Sequence, residues 1–166
     1  MSLARELLQA NARHAAELDA SDLQVRPRRV LAILTCMDSR YTAQGVLGLA
    51  LGDAHVIRNA GGRVTEDVIR SLTLSAALLG TRTCAVIHHS DCGLLGRSNE
   101  ELRQRVVEAA GAWPAFSFLP FDDLERSVRD DVWALRECPY LPPDYEVIGF
   151  VYDVRIGQLQ QIEDVP

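Results

Sequence analysis

Residues 30–40 read Val-Leu-Ala-Ile-Leu-Thr-Cys-Met-Asp-Ser-Arg. The first six form a short apolar, partly β-branched run set between Arg26-Pro27-Arg28-Arg29 and Asp38-Ser39-Arg40. A run of this kind predicts a strand buried on both faces, as in parallel sheets that helices cover. Ala54 to Arg58 and Cys84 to His89 repeat the pattern. Between them, Glu66 to Leu79 is apolar almost all round, with Glu66 and Asp67 in its first turn and Gly80 just past its end, which predicts a buried helix. Strand, helix and strand at this spacing imply a parallel crossover.

Outward from this unit the pattern continues. Leu3, Leu7, Leu8, Ala15 and Leu18 recur at helical spacing against Arg5, Glu6, Gln9, Arg13 and Glu17, so Met1 to Leu18 is expected to form an amphipathic helix. Ser98-Asn99-Glu100-Glu101 is a capping box that opens a helix through Ala110. Asp122-Asp123 opens another, with Leu124, Val128, Val132 and Leu135 on its inner face. The intervening Gly111 to Pro120, with Trp113, Phe116 and Phe118 among prolines, reads as a loop or lid. Glu146 to Val154 alternates and turns back through Ile156-Gly157 into Leu159 to Ile162, a final hairpin. The expected architecture is α/β: a mostly parallel sheet of four or five strands flanked by helices, in one domain spanning residues 1–166.

Composition narrows the function. The 17 Lys and Arg residues are scattered through a chain of net charge -6, leaving no basic stripe for a phosphate backbone, so nucleic acid is not an expected partner. No apolar run has the length of a membrane span or the form of a signal peptide, which predicts a cytoplasmic protein without a membrane partner. Four cysteines fit a disulfide scaffold poorly in a chain of this size, and in a reducing compartment cysteines close to His or Asp point to metal or catalysis.

Two segments carry that chemistry. In Cys36-Met37-Asp38-Ser39-Arg40 a cysteine at the carboxyl end of the first predicted strand is followed at alternate positions by a carboxylate and a guanidinium. In His89-Ser90-Asp91-Cys92 a histidine and a cysteine three apart close the third predicted strand. Ligands of open parallel sheets bind beyond the carboxyl ends of strands where strand order switches, so these two ends side by side would make a pocket. Two thiolates and an imidazole suit zinc and leave a fourth position open. Cys84, in mid-strand, is expected to fill the core, and Cys138 before Pro139 is expected to be incidental. His88 should point to the face opposite His89, as a packing or hydrogen-bonding residue. Asp91 has ligand chemistry too, but its place reads as a capping or dipole-aligned carboxylate at a helix start. His14 and His55 carry no comparable pattern.

Cys-Met-Asp-Ser-Arg at 36–40, Arg-Asn-Ala-Gly-Gly at 58–62 and His-Ser-Asp-Cys-Gly at 89–93 resemble, in order, three signature segments of the β-class carbonic anhydrases, and the compact length is similar to their short mycobacterial-type branch. The resemblance implies Cys36, His89 and Cys92 as ligands of Zn²⁺, with Asp38 and Arg40 as a neighbouring catalytic dyad. In the family the aspartate either orients the metal's water or becomes a fourth ligand in a closed state, and the arginine decides which. The resemblance also implies that the backbone N–H of Gly93 holds a substrate oxygen. It implies a homodimer or higher homo-oligomer whose first helix packs across the partner subunit. One departure stands out: plant-type members carry a glutamine nine residues before the first zinc cysteine, where this chain has Pro27, with Gln24 nearby.

The expected reaction is reversible hydration of carbon dioxide to bicarbonate and a proton, the metal supplying the nucleophile and Asp38 orienting it. No residue identifies itself as the proton relay. Two other readings stand beside this one: hydrolysis of carbonyl sulfide or carbon disulfide at the same zinc, and a zinc-dependent binding or regulatory module without turnover. The last would not need the Asp38 and Arg40 pair, which is present.

Overall fold

The structure is a computed structural model that describes residues 2–163. Five strands form one sheet: β1 (Leu31–Cys36), β2 (Ala54–Asn59), β3 (Thr83–His89), β4 (Glu146–Asp153) and β5 (Gln158–Ile162), in the order β2-β1-β3-β4-β5. The first four run parallel and β5 returns antiparallel to β4 as the final hairpin. Five α-helices accompany them: α1 (Leu3–Glu17), α2 (Ala43–Leu47), α3 (Glu66–Ala77), α4 (Asn99–Ala110) and α5 (Leu124–Arg136). The chain moves from β1 to one neighbour, β2, and then crosses back to the other, β3. Strand order therefore reverses at β1, and the segments leaving β1 and β3 depart in different directions and open a crevice between them.

Period-two alternation sorts the core into two layers. Leu34, Val86 and Val147 face one side with Val68 and Leu72 of α3 and Val128, Val132 and Leu135 of α5, while Ile33, Ala85 and Ile87 face the other with Ala43 of α2. Leu34, Leu72, Val86 and Leu135 are among the fully buried side chains. Burying each such side chain contributes roughly 1.5–3 kcal/mol. Helix α5 lies so close on β4 that a Cβ at Gly149 would sit 2.5 Å from Val128, so glycine sets that separation. The predicted caps are formed: Ser98 and Glu101 complete a capping box, and Asp123 accepts from the Arg126 amide.

Several expectations change in detail. Strand β2 is not buried on both faces; it lies at the sheet edge, where its side chains are mostly half-buried. The buried helix ends at Ala77 rather than Leu79, with Leu78 as its cap. Cys84 is a core residue as expected, and Cys138 is also buried, packed against α5 and β4 rather than lying in an open loop. Helix α1 forms, but none of its residues is buried, and Leu7 and Leu8 stay 60% and 69% exposed. Its expected first residue, Met1, lies outside the described residues. Among the described residues, no helix is long and apolar enough to cross a membrane.

A buried polar cluster ties α5 to the crevice. Arg63 donates to both carboxylate oxygens of Asp131, at 2.7 and 3.3 Å, and to the Leu119 carbonyl at 2.8 Å. His88 is fully buried, with Nδ1 2.7 Å from the Ser127 hydroxyl and Nε2 3.1 Å from Asp131. His88 thus faces away from His89 and is a hydrogen-bonding residue, as the pleat predicts. Removing one partner of a buried ion pair strands the other charge, which typically costs about 3–5 kcal/mol. Asp131→Ala is expected to lower the unfolding free energy by roughly that amount in urea denaturation; a loss below about 1 kcal/mol would show that Arg63 finds water instead.

Candidate metal centre

The crevice is built from the ends of β1 and β3. Cys36 is the last residue of β1 and His89 the last of β3, and the turn after β3 returns Cys92 to the same point. Gly62 lets the turn after β2 close against these strand ends. It has φ +69°, and a Cβ there would lie 3.0 Å from both the Cys36 nitrogen and the Thr35 carbonyl carbon. Glycine alone adopts that conformation without strain and without filling the gap. Arg58, on β2, donates from Nε to the Cys36 carbonyl at 2.8 Å and from Nη2 to the Asp38 carbonyl, which fixes the turn leaving β1.

The donor atoms of Cys36, His89 and Cys92 lie within 4.8 Å of one another, and all three residues are buried. His89 Nδ1 is 2.9 Å from the Ser90 carbonyl oxygen, which can only accept, so the proton resides on Nδ1 and Nε2 carries a lone pair. Nε2 is buried without a hydrogen-bond partner in the protein. An unsatisfied imidazole nitrogen facing two sulfurs fits a zinc ion, which takes His and Cys donors in four-coordinate sites. The sulfurs also behave as a ligand pair. Hydrogen bonding from Cys92, opposed by burial, lowers the Cys36 thiol. The resulting thiolate, together with burial, pushes the Cys92 thiol up. A dication would favour the deprotonated form of both.

Asp38 and Arg40 stand at the rim. Arg40 Nε and Nη2 donate to the Asp38 carboxylate at 3.0 and 2.8 Å, and the Arg40 amide donates to the same carboxylate at 2.9 Å. The guanidinium, more than offsetting partial burial, holds the Asp38 carboxyl down to about 2. Asp38 Oδ2 is 3.9 Å from His89 Nε2, so an ionised acceptor is held beside the donor cluster but engaged by arginine. The Gly93 amide follows Cys92, has no protein acceptor among the described residues, and borders open space: a Cβ on Gly93 would meet nothing within 4 Å.

One wall of the cluster is apolar. Leu94 and Phe121 pack with Cys36 and Cys92, and Phe118 and Leu95 adjoin them. The segment expected as a loop or lid, Gly111 to Pro120, contains neither helix nor strand; it places Phe118 against this wall while Trp113 and Phe116 stay exposed. Pro27 is buried and Gln24 exposed, both in the segment that enters β1 at the end opposite Cys36.

Three contributors were not assigned a role from sequence. Arg58 and Gly62 belong to the Arg-Asn-Ala-Gly-Gly segment, whose glycine pair was the available signal. Tyr41 packs its ring 5.4 Å from that of His89 and shares a 2.8 Å hydrogen bond with Thr35; burial pushes its phenol up to about 12, so it stays neutral in the working range. Asp91 caps no helix. It accepts from Arg40 Nη1 at 2.7 Å, a correction to the sequence reading, because the residues after it form turns rather than a helix.

Comparison with known proteins agrees with this geometry. The chain is 38% identical to β-carbonic anhydrase 1 of Mycobacterium tuberculosis over 140 residues, 84% of this chain and 86% of that protein. It is 34% identical to a carbon disulfide hydrolase of Acidianus over 157 residues, 80% of this chain and 77% of that one. Among solved structures, a carbonic anhydrase from Streptococcus mutans superposes with a TM-score of 0.93 at 41% identity, covering 98% of this chain and 99% of the other. The carbonic anhydrase family profile matches residues 31–113, from the start of β1 to beyond α4. With the strand ends, the three donors and these likenesses in agreement, the chain belongs to the β-carbonic anhydrase family of zinc enzymes.

Proposed function

We propose that residues 1–166 act as one zinc-dependent domain interconverting carbon dioxide and bicarbonate, with Cys36, His89 and Cys92 holding the metal. The observation that carries this reading is the buried, unpartnered His89 Nε2 facing two buried sulfurs beside an arginine-held carboxylate. Zinc, when bound, supplies a nucleophile from water, though less readily than at a three-histidine site whose water has a pKa of about 7, because two thiolates cancel its formal charge. The chain's own residues do the rest. Asp38, ionised and acceptor-only, orients the attacking group by accepting its proton in a hydrogen bond, and Arg40 keeps that carboxylate from binding the metal itself. The Gly93 amide is a free donor for a substrate oxygen. The apolar wall of Leu94 and Phe121 suits a substrate that carries no charge. Carbon disulfide is the second reading, favoured by the likeness to the Acidianus protein. Stopped-flow assay of zinc-loaded protein on carbon dioxide, with carbon disulfide and carbonyl sulfide in parallel, is expected to show carbon dioxide as the fastest substrate; a higher turnover of either sulfur compound would reassign it.

The exposed apolar stripe of α1 supports a homodimer or higher homo-oligomer in which this helix lies on a partner subunit. The four cysteines, all free, support a cytoplasmic setting.

One tightly bound zinc per chain is expected by elemental analysis. The Cys36→Ser, Cys92→Ser double variant should lose it, since hydroxyls are poorer ligands than thiolates, and full retention would remove these residues from the site.

Activity should rise toward alkaline pH because the thiolates weaken the metal as an acid. Asp38 acts in the same direction, since a carboxylate displaces a neutral water from a metal more readily than a hydroxide, and Arg40 opposes this by pairing with it. Arg40→Ala and Asp38→Asn are each expected to lower kcat/KM about 10- to 100-fold with zinc retained. A pH profile of either variant that overlies that of the wild type would leave the pair without a catalytic role.

Removing residues 1–18 should convert the oligomer to a monomer in analytical ultracentrifugation. An intact chain already monomeric at high micromolar concentration would contradict the assembly.

A further inference from the structure

Arg40 is held from two sides, and only one of them is accounted for by the dyad. Its Nε and Nη2 grip the Asp38 carboxylate, whereas Nη1 donates to Asp91 Oδ2 at 2.7 Å and Nη2 also donates to the Asp91 main-chain carbonyl at 3.0 Å. Asp91 adopts φ +57°, one of few non-glycine residues here in the left-handed region. That conformation is uncommon for L-residues, and Asp and Asn tolerate it best. It turns the carboxylate and the carbonyl of the same residue toward one guanidinium. Asp91 also directly precedes Cys92, so the turn that delivers the second sulfur also delivers the brace for Arg40.

Arg40 is 43% exposed at its side chain and sits at the end of a flexible stem, so its bond to Asp38 alone leaves it free to exchange with water. A second anchor across the crevice removes that freedom. We propose that Asp91 is a positioning residue that holds Arg40 in the orientation that keeps Asp38 away from the metal. This rests on the reading of Asp38 and Arg40 given above. Among the described residues Asp91 makes no hydrogen bond to the donor sulfurs or to His89, and its hydrogen bonds go to the guanidinium. Losing Asp91 therefore should have the same consequence as losing part of Arg40, and no consequence once Arg40 is gone.

The test is a set of zinc-loaded variants assayed for carbon dioxide hydration at one pH, with zinc content and crystal structures of each. Asp91→Gly removes the carboxylate while allowing the left-handed backbone, and Asp91→Asn keeps both an acceptor and that backbone. Asp91→Gly is expected to lower kcat about five- to tenfold with KM and zinc content little changed, and its structure should show Asp38 turned from Arg40 toward the metal. Asp91→Asn should recover most of the loss. In an Arg40→Ala background, Asp91→Gly should change kcat by less than about twofold, because the two residues act as one unit. Wild-type kcat in Asp91→Gly, or an equal loss in both backgrounds, would overturn the positioning role while leaving the dyad intact. Wild-type activity in Arg40→Ala would overturn the dyad and this inference together.

Discussion

Cys36 and His89 are distant in sequence yet must present their donor atoms to the same point, and a sheet achieves this only where neighbouring strands end together. Parallel pairing of β1 with β3 brings Thr35 level with Ile87, so Cys36 stands level with His88, and His89, one residue further on, ends its strand beside it. Strand order reverses at β1, the place where open parallel sheets form a ligand crevice. The rest of the structure serves that juxtaposition. Helices α3 and α5 bury one face of the sheet and α2 covers part of the other, and the core they form makes the strand register unforgiving. A slip by one residue would send Cys36 to the wrong face along with every apolar side chain of β1.

Around the donors, polar groups are arranged by what each can satisfy. His89 gives its one proton to a main-chain carbonyl and keeps an unshared nitrogen for the cluster. Its neighbour His88, on the opposite face, is satisfied entirely within the protein by Ser127, Asp131 and the Gly62 carbonyl. Adjacent histidines of the same strand therefore have opposite fates, one structural and one chemical, because successive side chains leave opposite faces of the pleat. The His88 cluster also fixes Arg63, which holds the Leu119 carbonyl and lies over the Phe121 ring. The apolar wall beside the sulfurs is thereby anchored to the same buried ion pair that secures α5.

Charge at the rim follows a similar logic. Arg58 holds main-chain carbonyls and so fixes the path of the chain after Cys36, whereas Arg40 holds carboxylates and so fixes the chemistry. The guanidinium fork suits both tasks because its donors are planar and permanently charged. A lysine at either place would offer a point charge with no preferred plane.

Periodicity and end signals in the sequence were sufficient for the strands, the longer helices and the ligand candidates, but not for the short α2. The β1 and β3 runs, the capping box at Ser98, the hairpin through Gly157 and the two separate motifs that carry Cys36 and the His89–Cys92 pair all lie in local patterns, since strand burial, helix caps and short ligand spacings act over a few residues. What the sequence left open depends on contacts between segments far apart in the chain. The edge position of β2 follows from strand order, not from its composition, so Ala54 to Arg58 read like a central strand and is only half-buried. Asp91 read as a cap because a carboxylate before a run of residues looks the same whether a helix follows or not; only the folded chain brings Arg40 within 2.7 Å of it. Gly62 was legible as a glycine, but that its missing Cβ lets the turn after β2 lie against the main chain at the ends of β1 and β3 was decided by the packing of those three segments. The apolar stripe of α1 was written plainly in its leucines, yet among the described residues nothing buries it, because an amphipathic pattern specifies that a face seeks cover and not what supplies it.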